Sequence, residues 1–311
     1  MSGANFVLGI PTLNAEKNLD AFLLGLEQQT QKPDRILVVD SSSDDHTVDR
    51  FREYGAEVSI IGRNEFDHGG TRQRIVDACG DDEIVVFMTQ DAICADEYAF
   101  ANLVAAVEDP QVGAACGRQL PHKNAGAVEA HARAFNYPDT SRRLSKADID
   151  RLGIRAAFMS NSFAAYRIDA LKEVGGFPIR TIMNEDMYVA ARMLMSGRSV
   201  AYAGDARVHH SHSYNIGEEF RRYFDIGVFF AHNRWLVDRF GGAGGEGRKY
   251  LASELRWLLE RQPTAIPGSI ARNAMKLVGL ELGRRHHLIP AGLKPRLSVQ
   301  RTYWQTSRPI A

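Results

Sequence analysis

The stretch Ile84-Val85-Val86-Phe87-Met88-Thr89-Gln90-Asp91 (IVVFMTQD) decides the fold, because five consecutive apolar residues end abruptly at polar ones. Such a short apolar run is typical of a strand that is buried on both faces. Similar runs occur at Phe6–Ile10 (FVLGI), Arg35–Asp40 (RILVVD) and Glu57–Ile61 (EVSII), and helical patterns such as Leu19–Gln28 separate them. This alternation predicts an α/β fold with a parallel sheet, in which ligands bind at the carboxyl ends of the strands.

Polar residues follow the first two predicted strands, where a ligand would bind. Pro11, Thr12 and Asn14 open a predicted helix, whose amide groups and dipole favour an anion. Asp40 and Ser42 follow the second strand, where they could bind a ribose or the edge of a base, or simply cap the next helix. No GxGxxG follows the first strand and no GxxxxGK[ST] occurs in the chain, which argues against a dinucleotide Rossmann site and a P-loop.

The segment FDHGGTR, residues 66–72, is a second candidate for ligand binding. Its paired glycines, Gly69 and Gly70, allow close approach of a ligand to the backbone, and His68 and Arg72 offer hydrogen-bond donors nearby. A diphosphate would suit this combination. The alternative is a glycine turn that leads into a helix with solvated arginines.

Asp91, at the end of a strand, has the carboxylate oxygens that a hard divalent cation prefers. Further along the chain, VHHSH at residues 208–212 has three histidines in four residues. In an extended conformation His210 and His212 share a face, with His209 opposite, so one of them could complete a metal site with Asp91. Structural or surface histidines are the alternative, and the spacing is not that of a zinc site.

The pair Glu185 and Asp186 begins a predicted helix. Apolar residues from Met187 to Leu194 recur at helical spacing, and Gly197 ends the pattern. A carboxylate at this position could act as a general base on a hydroxyl group. Acidic residues are also favoured in the first turn by the helix dipole, and that interpretation stays open.

The composition limits the partners. Lysine plus arginine and aspartate plus glutamate number 38 each, so we expect no nucleic-acid binding. The three cysteines lack CxxC spacing, which favours a reducing cytosol. The longest apolar runs, such as residues 226–231, are far shorter than the ~20 residues that cross a bilayer, so we expect a cytoplasmic protein that is soluble or peripheral on a membrane.

The C-terminal region is basic. Residues 270–311 contain eight Lys or Arg residues against Glu281, a local charge of about +7, and Tyr303 and Trp304 lie among them. We expect this region to be a helical extension that rests on anionic lipid. A solvated basic helix or a contact in a homo-oligomer is the alternative.

The order of PTLN, DSSSDD, FDHGGTR, TQDA, GGFP, NED and VHHSH, followed by RRYFDIG, resembles a family 2 glycosyltransferase of GT-A fold, and within it the rhamnosyltransferase branch. The resemblance covers roughly residues 6–231. It implies a Rossmann-like, mostly parallel central sheet flanked by helices. It also implies an inverting transfer of a sugar, typically from dTDP-L-rhamnose, to a growing and lipid-linked bacterial surface glycan. A UDP- or GDP-linked sugar donor, or a nucleotide-sugar-binding module without activity, remains open.

The resemblance also implies roles for individual residues. Asp186 would be the general base, with Glu185 orienting it, and Asp91 and His210 would bind Mg²⁺ or Mn²⁺ on the diphosphate. TQDA has one carboxylate where many relatives have two, so we expect weak metal binding without the donor. Acceptor binding is expected from Ser160, Asn161 and His212. The expected nucleotide-sugar contacts are Pro11, Thr12, Asn14, Asp40, Ser42, His68, Gly69, Arg72, Gln90 and Asp91.

The predicted domain organisation follows from the same resemblance. Residues 1–234 would form the catalytic domain, with a nucleotide-binding half (1–116) and an acceptor-binding half (117–234), and residues 235–311 the helical, basic extension. Segment 117–161 is expected to be an insertion outside the sheet. A glycoside hydrolase would also use two carboxylates, but it does not need a nucleotide-type sheet with FDHGGTR.

Overall fold

The structure is a computed structural model that describes residues 4–80, 83–212, 214–241 and 245–305. Nine strands and thirteen α-helices are present in these ranges. The strands are β1 (Phe6–Thr12), β2 (Arg35–Asp40), β3 (Glu57–Ile60), β4 (Ile84–Met88), β5 (Ile93–Cys94), β6 (Val112–Leu120), β7 (Arg142–Leu144), β8 (Phe163–Arg167) and β9 (Ser199–His209).

The helices lie between the strands in the first part of the chain and follow one another in the last part. They are α1 (Glu16–Glu27), α2 (Thr47–Glu53), α3 (His68–Asp77), α4 (Ala99–Ala105), α5 (Ala127–Asn136), α6 (Ile149–Leu152), α7 (Ile168–Glu173), α8 (Glu185–Ser196), α9 (Ile216–His232), α10 (Arg234–Phe240), α11 (Glu246–Arg261), α12 (Ile266–Arg284) and α13 (Lys294–Leu297). Within the described residues, no helix combines the length and apolar character needed to cross a membrane.

All nine strands form one mixed sheet in the order β3-β2-β1-β4-β8-β6-β9-β5, with β7 also paired to β9. Strands β1 to β4, β6 and β9 run in one direction, and β5, β7 and β8 run in the other. The carboxyl ends of β1, β2 and β4 therefore meet at one edge, as the sequence predicts. The α/β class and the mostly parallel sheet flanked by helices are confirmed.

The central strands are apolar on both faces because helices cover both sides of the sheet. In β1, Val7 belongs to one core cluster, and Phe6 and Leu8 belong to the other. In β4, Val85 packs with Val7, whereas Val86 points to the opposite side. Burial on both faces explains why the sequence of these strands shows unbroken apolar runs instead of alternation.

The middle of the chain differs from its prediction. Segment 117–161 is not an insertion outside the sheet, since β6 continues to Leu120 and β7 pairs with β9. Strand β6 also crosses the boundary predicted at residues 116/117. Beyond residue 234, Leu236 and Phe240 are buried in the same core cluster as Val7. One of the two core clusters thus extends across both predicted boundaries.

Helices α9 and α12 pack with their backbones in direct contact. A Cβ atom added to Gly283 of α12 would lie 2.0 Å from the Phe224 carbonyl oxygen, and one added to Gly279 would lie 2.4 Å from that of Phe220. From the other side, a Cβ at Gly227 of α9 would lie 2.2 Å from the Leu280 oxygen. These glycines bring the C-terminal helix onto α9, so the extension is an integral layer of the fold.

Replacing Gly283 by alanine tests this contact. Because the added methyl group meets backbone atoms that cannot rotate away, we expect Gly283→Ala to lower the free energy of unfolding by about 1–3 kcal/mol. The matched control is Gly268→Ala on the same helix, where an added Cβ meets nothing within 4 Å. That change should leave stability equal or slightly higher. Equal denaturant midpoints for the two variants would contradict the close helix contact.

Candidate active site

Asp40 lies at the end of β2 and organises the loop after it. Its side chain is fully buried, and it accepts hydrogen bonds from Thr12 Oγ1 (2.9 Å), the Ser43 amide (2.8 Å) and Ser43 Oγ (2.6 Å). Both carboxylate oxygens are therefore used inside the protein. A direct contact with a base or ribose, as predicted, would require these bonds to rearrange. In this structure Asp40 shapes the surface that Ser42 and Ser43 present.

The first amides of α1 are capped from the neighbouring loop. Thr47 Oγ1 accepts from the Ala15 amide (2.7 Å) and Asp45 Oδ2 from the Glu16 amide (3.2 Å). Exposed Asn14 instead connects the β1 and β2 loops, since its amide donates to Ser43 Oγ and its side chain accepts from the Asp44 amide. The helix start is thus occupied by protein groups, and the exposed polar surface beside it belongs to the two loops.

Gln90 joins the ends of β1 and β4. Its side-chain oxygen accepts from the Leu13 amide (2.8 Å), and its nitrogen donates to the Leu13 carbonyl (2.9 Å). A carboxylate at position 90 could accept but could not donate, so the amide makes a contact that aspartate could not complete. This explains physically why TQDA has glutamine before Asp91.

Asp91, His210 and His212 form a cluster with one candidate metal-binding atom each, and these atoms all lie within 4.8 Å of one another. Nε2 of His210 is 3.4 Å from Asp91 Oδ1, and Nε2 of His212 is 3.4 Å from Asp91 Oδ2. One carboxylate and two imidazoles suit a divalent ion such as Mn²⁺. His212, predicted among the acceptor contacts, lies in this cluster because the chain stays extended past β9 and places both histidines on the same side.

The side chain of Gln119 fixes the tautomer of His210. Gln119 Oε1 accepts from Arg133 Nη1 (2.8 Å) and faces His210 Nδ1 at 3.0 Å, so Nδ1 carries the proton. In the neutral ring, Nε2 then has the lone pair that a metal ion would bind. The Gln119 nitrogen donates to Ser160 Oγ at 2.8 Å, which settles the orientation of the amide. Sequence analysis did not identify Gln119 or Arg133, because no motif marks them.

The charges in this cluster favour an ionised carboxylate. Burial acts to raise the pKa of Asp91, but the hydrogen bonds to His210 and Thr89 and the charge of His210 outweigh it and hold that pKa well below its usual value. Burial and the neighbouring His210 lower the pKa of His212 to about 4. At neutral pH His212 is therefore uncharged, which is the form that binds a metal ion.

Arg72 and Glu185 form a buried ion pair between α3 and α8. Arg72 Nη1 lies 3.1 Å from Glu185 Oε1, and the two side chains are 5% and 6% exposed. Arg72 also donates to the His68 carbonyl (2.9 Å) and lies over the Phe87 ring. Arg72 was predicted to approach the ribose or diphosphate, but in this structure its guanidinium faces Glu185.

The ion pair extends to Asn161 and Tyr166. Asn161 Nδ2 donates to Glu185 Oε1 (2.9 Å), and the Tyr166 hydroxyl donates to Asn161 Oδ1 (2.7 Å). Asn161 is only 2% exposed, so this side chain, predicted to bind the acceptor, is part of the interior network. Burial raises the pKa of Glu185, but Arg72, His68 and the Asn161 bond outweigh it and the net shift is downward. Glu185 is thus a fixed negative charge.

Asp186, next to Glu185, is partly exposed at the start of α8. Its oxygens accept from the amides of Met187 (2.7 Å) and Asn161 (3.1 Å), which fixes the orientation of the carboxylate. Burial, and then the negative charge of Glu185, raise the pKa of Asp186 to about 7. A carboxylate with this pKa can accept a proton near neutral pH.

The glycines of FDHGGTR have a packing role. A Cβ on Gly69 would lie 1.8 Å from the Pro178 carbonyl oxygen, so α3 needs glycine there to contact the turn at 175–178. The Phe177 amide of that turn donates to Gln73 Oε1 (2.8 Å), which gives Gln73 a role that the sequence did not reveal. His68 pairs through Nε2 with Gln300 Nε2 (2.9 Å) on the C-terminal segment. The residues of FDHGGTR thus pack α3 against the turn at 175–178 and the C-terminal segment, close to Glu185.

The sequence is similar to a family of glycosyl transferases and to two rhamnosyltransferases. A model of glycosyl transferase family 2 matches residues 8–175. The chain is 46% identical over 297 residues to the O-antigen chain rhamnosyltransferase RfbN of Salmonella typhimurium, covering 95% of this chain and 94% of that protein. It is 41% identical over 301 residues to the O-antigen chain rhamnosyltransferase WbaN of Salmonella anatum, covering 96% of each.

Among solved structures, the mannosyltransferase PcManGT from Pyrobaculum calidifontis, in complex with GDP-Man and Mn²⁺, has a similar fold. The TM-score is 0.56 at 18% identity, over 97% of this chain and 85% of that one. At this identity the likeness concerns the fold alone, and it confirms the predicted GT-A fold.

The Asp91 cluster predicts a metal titration. We expect Mn²⁺ binding, measured by calorimetry with a nucleoside diphosphate present, to weaken at least about tenfold in Asp91→Ala and in His210→Ala, because each variant removes a ligand atom. His209→Ala is the matched control, since His209 Nδ1 faces the Pro121 carbonyl (3.0 Å) and is outside the cluster. Equal Mn²⁺ affinity in all three variants would show that the ion binds elsewhere.

Proposed function

This chain belongs to glycosyl transferase family 2, and we propose that it transfers a rhamnosyl group from dTDP-L-rhamnose to a growing O-antigen chain. It is a glycosyltransferase, as predicted. The observation that carries the proposed mechanism is Asp186, a partly exposed carboxylate whose pKa is raised to about 7 beside a buried anion. The names of the two rhamnosyltransferases, at 46% and 41% identity over nearly the whole chain, support the sugar and the glycan.

Asp186 is the proposed general base. It accepts the proton of the acceptor hydroxyl as that oxygen forms a bond to the anomeric carbon and the bond from this carbon to the diphosphate breaks. Attack opposite the leaving diphosphate inverts the configuration in one displacement. Glu185 is the proposed orienting residue, since it shares Asn161 with Asp186 and stays ionised through Arg72.

The proposed donor site lies at the carboxyl ends of β1, β2 and β4. Exposed Asn14 and partly exposed Ser42 offer polar groups for the base and ribose, while Thr12 and Asp40 hold their loop in place. Asp91, His210 and His212 would hold the metal ion, Mn²⁺ or Mg²⁺, which stabilises negative charge on the departing diphosphate when it is bound. The Mn²⁺ that accompanies GDP-Man in the PcManGT complex supports this assignment.

Transfer by the purified protein tests the function. With dTDP-L-rhamnose and membranes that carry lipid-linked O-antigen intermediates, we expect transfer by the wild type and a loss of at least about a hundredfold in Asp186→Asn, because the base is removed. Donor binding by calorimetry should be unchanged in that variant. Near-normal turnover in Asp186→Asn would overturn the base assignment, and transfer only from UDP- or GDP-linked sugars would overturn the donor.

The same assay has an expected pH dependence. Activity should fall as the pH drops below about 7, because Asp186 becomes protonated. In Glu185→Gln the acidic limb of the profile should move to lower pH, since the negative charge that raises the pKa of Asp186 is gone. If the acidic limb does not move, Glu185 does not control the pKa of the catalytic base.

We also propose that α12 contacts an anionic membrane. Its exposed side chains Ile270, Leu277, Val278 and Leu282 lie on one face, and the exposed Arg284 and Arg285 follow. The aromatic pair expected at lipid packs inward instead, since Trp304 contacts Phe224 and the Tyr303 hydroxyl pairs with His232. Arg308 of the basic tail lies outside the described residues.

Flotation with phosphatidylglycerol-rich vesicles tests the α12 surface. We expect the double variant Leu277→Glu, Val278→Glu to weaken vesicle binding at least about tenfold, because two apolar side chains are lost from the contact. Leu259→Glu on α11, at a similarly exposed leucine, is the control. If vesicle binding is unchanged while size-exclusion chromatography shows a dimer converting to monomer, the face is a homo-oligomer contact.

A further inference from the structure

A cavity of about 650 Å³ opens between α3 and the C-terminal segment. Its walls come from Phe66, Asp67 and His68 at the start of α3, from residues 179–182 before α8, and from Gln300, Thr302 and Tyr303 near the C-terminus. We name it the C-terminal cleft. Its volume lies within the range of ligand sites of roughly 300–1,000 Å³.

The C-terminal cleft lies beside the Arg72–Glu185 pair but is built from other elements than the proposed donor site. Ile182, in its wall, is three residues before Glu185. His68, in the opposite wall, binds Arg72 through its carbonyl group, and Arg72 pairs with Glu185. The donor loops and the Asp91 cluster lie instead at the ends of β1, β2, β4 and β9. A second substrate bound here would lie near the start of α8, which carries Asp186, and apart from the donor loops.

The lining suits a neutral, hydroxyl-rich ligand. Phe66 and Tyr303 contribute aromatic rings, and Asn64, Gln300 and Thr302 contribute amide and hydroxyl groups. Sugars present apolar C–H faces and hydroxyl edges, which match rings and amides respectively. Charged residues of both signs line the cleft, three acidic (Glu65, Asp67, Asp77) and two basic (Arg74, Arg180), so no cluster of cations selects a diphosphate.

The C-terminal wall is held by buried groups. Asp225 of α9 is fully buried and accepts from the amides of Val299 (2.9 Å) and Gln300 (3.2 Å). The Gln300 amide also donates to Ser298 Oγ (3.0 Å), and Ser298 is fully buried. The Gln300 side chain then reaches His68 on the other wall. Burial raises the pKa of Asp225 to about 6. These hydrogen bonds fix residues 298–300 in place as one wall of the cleft.

We propose that the C-terminal cleft binds the acceptor glycan, with Tyr303 and Thr302 as contact residues and Asp225 as the residue that positions their segment. This inference rests on the proposed function and moves acceptor binding away from Ser160 and Asn161. The C-terminal region thus acts in substrate recognition, and any contact of α12 with lipid is additional to that role.

Kinetics of cleft variants test the proposal. Thr302 is exposed, so Thr302→Trp should fold normally and fill the cleft, and we expect it to raise the KM for the lipid-linked acceptor at least about tenfold. Tyr303→Ala should do the same by removing a ring. Calorimetric affinity for dTDP-L-rhamnose should stay within about twofold. The controls are Thr140→Trp and Tyr98→Ala, at exposed positions away from the cleft.

A binding measurement separates this proposal from the proposed function. Saturation-transfer NMR with O-antigen oligosaccharides from Salmonella typhimurium should show contact with the wild type and with Thr140→Trp, and none with Thr302→Trp. Unchanged contact and unchanged acceptor KM in Thr302→Trp would overturn the cleft assignment. Contact that depends on Thr302, without rhamnosyl transfer by the wild type, would overturn the proposed function and leave the glycan site standing.

Discussion

The buried ion pair of Arg72 and Glu185 is the constraint on which the proposed catalytic region depends. With both side chains about 95% buried, neither charge has water to stabilise it, and loss of either partner would leave the other unpaired at a cost of about 3–5 kcal/mol. The pair therefore holds α3 against α8, and Asn161 and Tyr166 complete the network. Burial, and then this fixed anion, raise the pKa of Asp186 to about 7, which suits the proposed role of general base.

Adjacent residues Ser160 and Asn161 connect the two chemical centres. Ser160 Oγ accepts from Gln119, which orients His210, whereas the Asn161 amide and side chain hold Asp186 and Glu185. A displacement at an anomeric carbon requires the leaving diphosphate and the base to stand on opposite sides at a constant separation. If these centres have their proposed roles, two neighbouring residues, each bonded toward one centre, keep that separation constant.

The sequence predicted the parts of this protein that local patterns determine. Apolar runs located β1, β2 and β4, and helical spacing with a terminal glycine placed α8 at Glu185. It could not predict which polar groups face inward. Asp40 turns toward Thr12, 28 residues away, and Arg72 toward Glu185, 113 residues away. Such pairs depend on the packing of helices on the sheet. The C-terminal wall was missed because its partners, Asp225 and His68, are far away in the chain.

The glycine contacts between α9 and α12 have a consequence for exchange between related enzymes. At these glycines the two backbones touch, and no side chain there could move to accommodate a helix from another enzyme. Helices α9 and α12 therefore have to come from the same protein. Asp225 on α9 also anchors residues 299 and 300, which extends the matched set to the cleft wall. A chimera joined between α9 and α12 would pair helices from two enzymes whose backbones are not shaped for this close contact. One joined ahead of Ile216 would keep α9, α12 and the anchored residues 299 and 300 together.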